Sequence, residues 1–253
     1  VNHGKSWLIR AYDWIPNFLA TKIIATCENV KNFLLKVERV PEKKISTIHY
    51  VFSQSIAQKV SENRVFHLKN KYNFLGKSPV LGVVSRYAEY KGIPFIIDAF
   101  KVILKIYPNA CLVLANADLG NEKVGNALQS LPKDAYREIR FENDSAALFA
   151  SFNVFVHVPV NPYAEAFGQV YVESMLAAVP SVFTLSGIAH EIVRNGENAI
   201  VVPYKDSPAI AEAILSLLSN SELALKISEK ARDDALSYFD YDESITNLKN
   251  EYQ

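Results

Sequence analysis

Val154-Phe155-Val156-His157-Val158-Pro159, followed closely by Glu165-Ala166-Phe167-Gly168-Gln169-Val170-Tyr171-Val172-Glu173, is the stretch that decides how this chain is read. The first part is a short apolar run closed by proline, the pattern of a buried strand. The second opens into an apolar-periodic helix with Gly168 at or just before its start. Glu165 then falls in the preceding loop and Glu173 between one and two turns into the helix. The backbone N–H groups of Phe167 to Val170 are left free, and the positive end of the helix dipole faces the same crevice. Such a place suits an anionic phosphate flanked by two carboxylates for hydroxyl groups, which is the chemistry of a nucleotide-sugar. Two acids in a protein are more often solvated surface charges. Here Val170, Tyr171, Val172, Met175, Leu176 and Ala177 surround Glu173 and leave little solvent face.

Working outward, short apolar strands at 80–85, 111–115, 138–142, 154–158, 181–184 and 199–202 alternate with helices at 93–106, 145–151, 168–178, 188–194, 208–218 and 222–236. Strands with little internal alternation belong to a parallel sheet covered on both faces. The expected fold class is α/β, a doubly wound, Rossmann-like parallel sheet, in which ligands bind beyond the carboxyl ends of the strands. The Glu165 loop lies at one such end. Ahead of it, strands at 22–26 and 44–50 and a helix at 28–38 are too few for an independent α/β domain. Residues 51–78 are polar and helical-to-irregular, with Lys59, Arg64, Lys69, Lys71 and Lys77, and read as a linker with a solvated basic face. The aromatic-rich stretch 5–20 reads as packing against further protein, and the tail from Tyr238 to Tyr252 as a terminal helix.

A second constellation, Ser85-Arg86-Tyr87-Ala88-Glu89-Tyr90-Lys91-Gly92, also follows a strand and precedes a helix. Arg86 offers a fork of donors to phosphate oxygens, Lys91 a mobile point charge, and Gly92 a tight entry to the helix. Alone these are two loop cations. Beside the Glu165 loop on the same sheet they become ligands for a diphosphate.

The 253 residues, 49% hydrophobic with zero formal net charge, bound the rest. Charge balance gives no general pull toward nucleic acid. Cys27 and Cys111 form no CxxC pair and read as core thiols of a reducing compartment. No transmembrane run or signal peptide is visible, and the start at Val1 reads as the middle of a longer chain. The nine glycines make neither GxGxxG nor a P-loop. His190-Glu191 lacks the second histidine of a zinc-protease helix, and Asp240-Tyr241-Asp242 sits between helices where capping is the expected role. His157, on the apolar strand next to the motif, reads as a satisfied core histidine, with contact to the ligand as the lesser alternative.

Taken in order, Arg86…Lys91-Gly92, Glu165-Ala166-Phe167-Gly168…Glu173, Val179-Pro180-Ser181-Val182 and Glu191-Ile192-Val193…Asn195-Gly196…Asn198 resemble the family 4 (group 1) glycosyltransferases of the two-domain GT-B fold. The resemblance covers about residues 79–252 as a nucleotide-sugar-binding domain, and Lys44 to Phe52 as the crossover from a preceding one. It implies that 1–50 are the remnant of an N-terminal acceptor domain, 51–78 a linker, 79–236 the donor domain and 237–253 a C-terminal helix.

What it implies chemically is retaining transfer of a sugar from a UDP- or GDP-sugar to a carbohydrate or glycolipid, with no essential metal or other cofactor. Arg86, Lys91 and the amides of Phe167, Gly168 and Gln169 would neutralise the leaving diphosphate. Glu165 would hold sugar hydroxyls, Glu173 the ribose, and the base would stack near Phe141. The acceptor domain would be supplied in cis or by a partner subunit in trans; the alternative is a non-catalytic nucleotide-sugar-binding module. The family's setting implies a cytoplasmic location, peripheral to a membrane at most. Departures from the family are Ala178 and Ala199 at common glycine positions, and Ser186-Gly187-Ile188-Ala189-His190 where a glycine pair is usual.

Overall fold

The computed structural model describes residues 15–52, 54–117, 121–239, 245–246 and 248–250. A small leading unit pairs β1 (Ile23–Ala25) with β2 (Ile45–Thr47) in parallel, joined through helix α1 (Glu28–Lys36). Helix α2 (Glu62–Lys71) leads to the main sheet: β3 (Val80–Val84), β4 (Cys111–Ala115), β5 (Tyr136–Ile139), β6 (Val154–His157), β7 (Ser181–Phe183) and β8 (Ile200–Val201).

Alternate side chains of these strands divide between two cores, because successive Cβ atoms point to opposite faces. Val80, Val84, Cys111, Val113, Ala115 and Phe155 pack on one face, against α2, α5 (Ser145–Ala150), α6 (Gln169–Leu176), α7 (Ala189–Ile192) and α9 (Ser221–Tyr238). Leu81, Val83, Leu112, Leu114, Val154 and Val156 pack on the other, against α3 (Ile93–Ile106), α4 (Glu122–Leu128) and α8 (Ser207–Ser219). Both faces are dry, which is why the strands read as unbroken apolar runs. Asn121, Asp144, Asp206 and Asn220 start α4, α5, α8 and α9 by accepting the N–H of the residue three further on, at 2.9–3.2 Å. Each such cap contributes about 1 kcal/mol.

Every neighbouring pair is parallel, and the spatial order is β5-β4-β3-β6-β7-β8. The chain winds outward from β3 in one direction and from β6 in the other. Between them lies the topological switch point, where the loops leaving adjacent strands part and open a crevice. The loops that leave these two strands are 85–92 and 158–168.

Three readings change. The strand expected at 138–142 is Tyr136–Ile139, paired with Leu112–Ala115. It is an edge strand with Glu138 exposed, so its apolar signal is weak, and Arg140 and Phe141 belong to the loop after it. Helix α4 was not expected, because Gly125 and polar neighbours leave it only Val124 and Leu128 to bury. The segment 51–78 is not merely a solvated linker: Leu68 and Phe74 enter the main core. Its cations Arg64 and Lys71 pair with Asp144 and Glu142.

Residues 1–14 of the aromatic-rich start, and Asp240 and Asp242, lie outside the described residues. Residues 15–19 are helical, with Ile15, Phe18 and Leu19 exposed, and 245–246 and 248–250 are helical as well. No helix among the described residues is long and apolar enough to cross a membrane.

Candidate functional site

Glycines set the two loops against each other. Gly92 ends the loop after β3 in the left-handed region, at φ 74°, and a Cβ there would meet the Val158 carbonyl oxygen at 2.1 Å. Gly168 caps α6 at φ 87°. Gly187, at φ 58°, lies so close to the Glu165 loop that a Cβ would sit 2.3 Å from the Phe167 carbonyl. Only glycine fits these positions, since both the backbone angle and the approach forbid a side chain.

Between these contacts Lys91 and Glu165 meet, with Lys91 Nζ donating to Glu165 Oε1 at 2.5 Å. His157 Nε2 lies 2.9 Å from the same oxygen, and the Glu165 N–H donates to Ser186 Oγ at 2.9 Å. Glu165 is 7% exposed. Burial alone would raise its pKa, but the hydrogen bond from His157 and the nearby Lys91 charge outweigh it and hold the carboxyl down to about 2. Burial lowers the pKa of His157, so the ring is neutral and its Nε2–H is the donor.

Glu173 is handled differently. It lies half-buried on α6 with no hydrogen-bond or ionic partner among the described residues, and burial raises its pKa. The N–H groups of Phe167, Gly168, Gln169 and Val170 likewise donate to nothing among the described residues. Arg86 is exposed and equally unpartnered there. Around the switch point four amides, one guanidinium and one carboxylate thus have no partner among the described residues. Such groups suit a ligand with anionic and hydroxyl parts.

Phe167 is buried, its ring against Tyr50, Phe52 and Phe239. It can therefore serve a ligand through its amide alone. Gln169 is exposed beside it. Phe141 is 66% exposed in the loop after β5, open to a flat ring.

Sequence reading had no signal for Ser186, a hydroxyl in a loop that closes on Glu165 only after folding. It also assigned His157 to the core without its acid. The N-terminal unit reaches the same loop: Thr26 Oγ1 and Cys27 Sγ donate to the Ala166 carbonyl, and Asn29 Nδ2 to the Pro162 carbonyl. Glu191 accepts from the Glu28 N–H, His49 and Tyr238, tying that unit and α9 to α7. Ala178 takes φ 53° at the far end of α6 from Gly168, so its methyl group strains the backbone without narrowing the crevice. Cavities of about 330 and 480 Å³ lie elsewhere, and neither is lined by Arg86, Lys91, Glu165 or Glu173. Among the described residues no cluster of three His, Cys, Asp or Glu side chains is placed to hold a metal ion.

Comparison with known proteins bears on the family and the fold. The model of the family described as Glycosyl transferases group 1 matches residues 65–234. The capsular polysaccharide biosynthesis glycosyltransferase CapM of Staphylococcus aureus is 29% identical over 231 residues, which is 90% of this chain and 60% of CapM. Spore coat protein SA of Bacillus subtilis is 26% identical over 74% of this chain and 51% of its own length. The chain thus spans between half and two thirds of these relatives. In fold it is similar to Anabaena HepE, solved with UDP and glucose, at a TM-score of 0.87 and 21% identity over 98% of this chain and 67% of HepE. The isolated C-terminal domain of the group 1 glycosyl transferase LpcC from Francisella tularensis aligns along 97% of its length with 74% of this chain, at a TM-score of 0.62 and 22% identity. With well over half its residues inside the family's own pattern, and a six-stranded parallel sheet of the GT-B kind, this chain belongs to the group 1 glycosyl transferases.

Proposed function

We propose that this chain carries the donor-binding half of a retaining, metal-independent glycosyltransferase, which moves a sugar from a nucleotide-sugar to a carbohydrate or glycolipid acceptor. The observation that carries the reading is the set of unpartnered groups at the switch point: Arg86, the amides of Phe167 to Val170, and Glu173. A diphosphate would lie across the amides at the start of α6, between Arg86 and Lys91. Catalysis would come from spreading the charge that develops on the departing phosphate. Glu165 would receive sugar hydroxyls and Glu173 the ribose, with the base against Phe141. UDP is the first nucleotide to test, since HepE was solved with UDP and with UDP-glucose; GDP is the second.

Residues 1–50 act in this reading as the end of an acceptor domain, 51–78 as an interdomain linker and helix, 79–236 as the donor domain and 237–253 as a C-terminal helix. The remainder of the acceptor domain is supplied in the same polypeptide or by a partner subunit. Work takes place in the cytoplasm, at a membrane surface at most. Calorimetric titration of the chain with UDP and GDP tests the reading. We expect one of them to bind, and Arg86→Ala to weaken it about tenfold or more, as loss of a charge-assisted phosphate contact requires. Absence of binding by both nucleotides would overturn it. Binding without transfer when the chain is joined to an acceptor domain would leave a binding module instead.

A further inference from the structure

The carboxylate of Glu165 has two unequal oxygens. Oε1 receives both Lys91 Nζ, at 2.5 Å, and His157 Nε2, at 2.9 Å. Oε2 has no partner among the described residues. No buried side-chain oxygen or nitrogen among them lacks one, so Oε2 is the oxygen that reaches solvent. Oε2 is therefore the oxygen of this carboxylate left open to an incoming group.

The two donors on Oε1 differ in what can move them. Lys91 is a flexible chain ending in a point charge, and its side chain keeps 13% exposure. A diphosphate arriving beside it brings more negative charge than the single carboxylate and draws the ammonium away. His157 cannot follow. It stands on β6, 1% exposed, its ring edge-on to Tyr171 at 4.7 Å and stacked with Phe155 at 6.3 Å. Tyr171 is itself pinned by its hydroxyl on the Thr184 carbonyl at 2.8 Å.

We propose that His157 is a positioning residue that holds Oε1 of Glu165, so that Oε2 stays presented to a donor-sugar hydroxyl once Lys91 has turned to the diphosphate. This rests on the nucleotide-sugar reading of the crevice and adds a group to it. The neutral ring contributes one hydrogen bond and no charge, so its loss should be felt by the sugar and not by the nucleotide.

The test is a comparison of UDP and UDP-glucose binding by titration calorimetry to the full chain and three variants. His157→Gln keeps an N–H near the place of Nε2, whereas His157→Asn and His157→Phe remove it. We expect UDP affinity to be unchanged in all three. The ratio of the UDP-glucose to the UDP dissociation constant should rise about tenfold in the Asn and Phe variants and stay within about threefold in Gln, one charge-assisted hydrogen bond being at stake. Should the Phe variant fail to fold, the Asn and Gln pair carries the same comparison. Equal weakening of UDP and UDP-glucose, a Gln variant as impaired as Asn, or a ratio that does not move would each overturn the assignment. A wild-type chain that binds neither ligand would instead overturn the reading of the crevice, which is a separate result.

Discussion

Glu165 and Glu173 stand on one short segment, yet the protein treats them in opposite ways. Glu165 is buried, doubly hydrogen-bonded at one oxygen, and held ionised with its pKa down to about 2. Glu173 is half-buried, unpartnered among the described residues, and pushed the other way by desolvation. One acid is stabilised by the fold whether or not a ligand is present. The other is a cost that the folded chain carries by itself, and such costs gather at functional sites. The contrast separates a carboxylate that the protein has built in from one that it leaves for something else to complete.

The most forceful way to break this contrast is Glu165→Ala. The change strands the Lys91 ammonium and the His157 N–H, and removing one member of a buried pair costs about 3 kcal/mol. Urea unfolding at pH 7 should show that loss, and UDP-glucose binding should weaken with it. The effect has a defined pH window. The folded-state pKa lies near 2, below the ordinary 4.5, so the stabilisation is full above about pH 4.5 and is lost as pH falls toward 2. Wild type and Glu165→Gln should therefore converge in stability as the solution is acidified. A gap that stays constant to pH 2.5 would show that Glu165 is not held as an ion.

Gly187→Ala tests the wall behind Glu165. The new methyl carbon would lie 2.3 Å from the Phe167 carbonyl oxygen and 3.0 Å from Glu165 Cβ, on a residue already at φ 58°. Backbone cannot yield cheaply, and a cost of about 2 kcal/mol is expected. Because the clash displaces the Glu165 loop and leaves the body of α6 in place, UDP-glucose should lose more affinity than UDP. Equal losses would mean that the loop and helix move as one, and the contrast between the two acids would then not be a local one.

How much of this was legible in the sequence follows from what each feature depends on. The alternation of short apolar strands with amphipathic helices is a local pattern, and it led directly to the doubly wound sheet. Gly168 at the helix start and Arg86 after the first regular strand are local too, and both sit at strand ends facing the switch point. Helix α4 escaped, and strand β5 was expected two to three residues late, because each buries little: two side chains in α4, and one fully buried residue in β5. The Lys91–Glu165 pair was hidden for another reason. Both residues were expected to face a ligand separately, and 74 positions of sequence separate them. Ser186 was invisible as a site residue, and His157 only a lesser candidate, because their partner reaches them only when three loops close on one another.

The smallest stability change, and the sharpest test of the contrast, is expected from Glu173→Gln. Burial raises the folded-state pKa of Glu173 above its unfolded value. Its contribution to stability is therefore greatest at acid pH and is lost as pH rises from the unfolded value near 4.5 through the folded one. A neutral amide of the same shape escapes that penalty. At pH 7.5 the melting temperature of Glu173→Gln should be unchanged or higher by about 1–2 °C. UDP affinity should nonetheless fall about tenfold, because the amide replaces a charged acceptor for ribose hydroxyls. Stability gained while binding is lost is the signature of a group kept for a ligand. If melting temperature and UDP affinity fell together, Glu173 would be a structural carboxylate like Glu165, and the two acids would differ in burial alone.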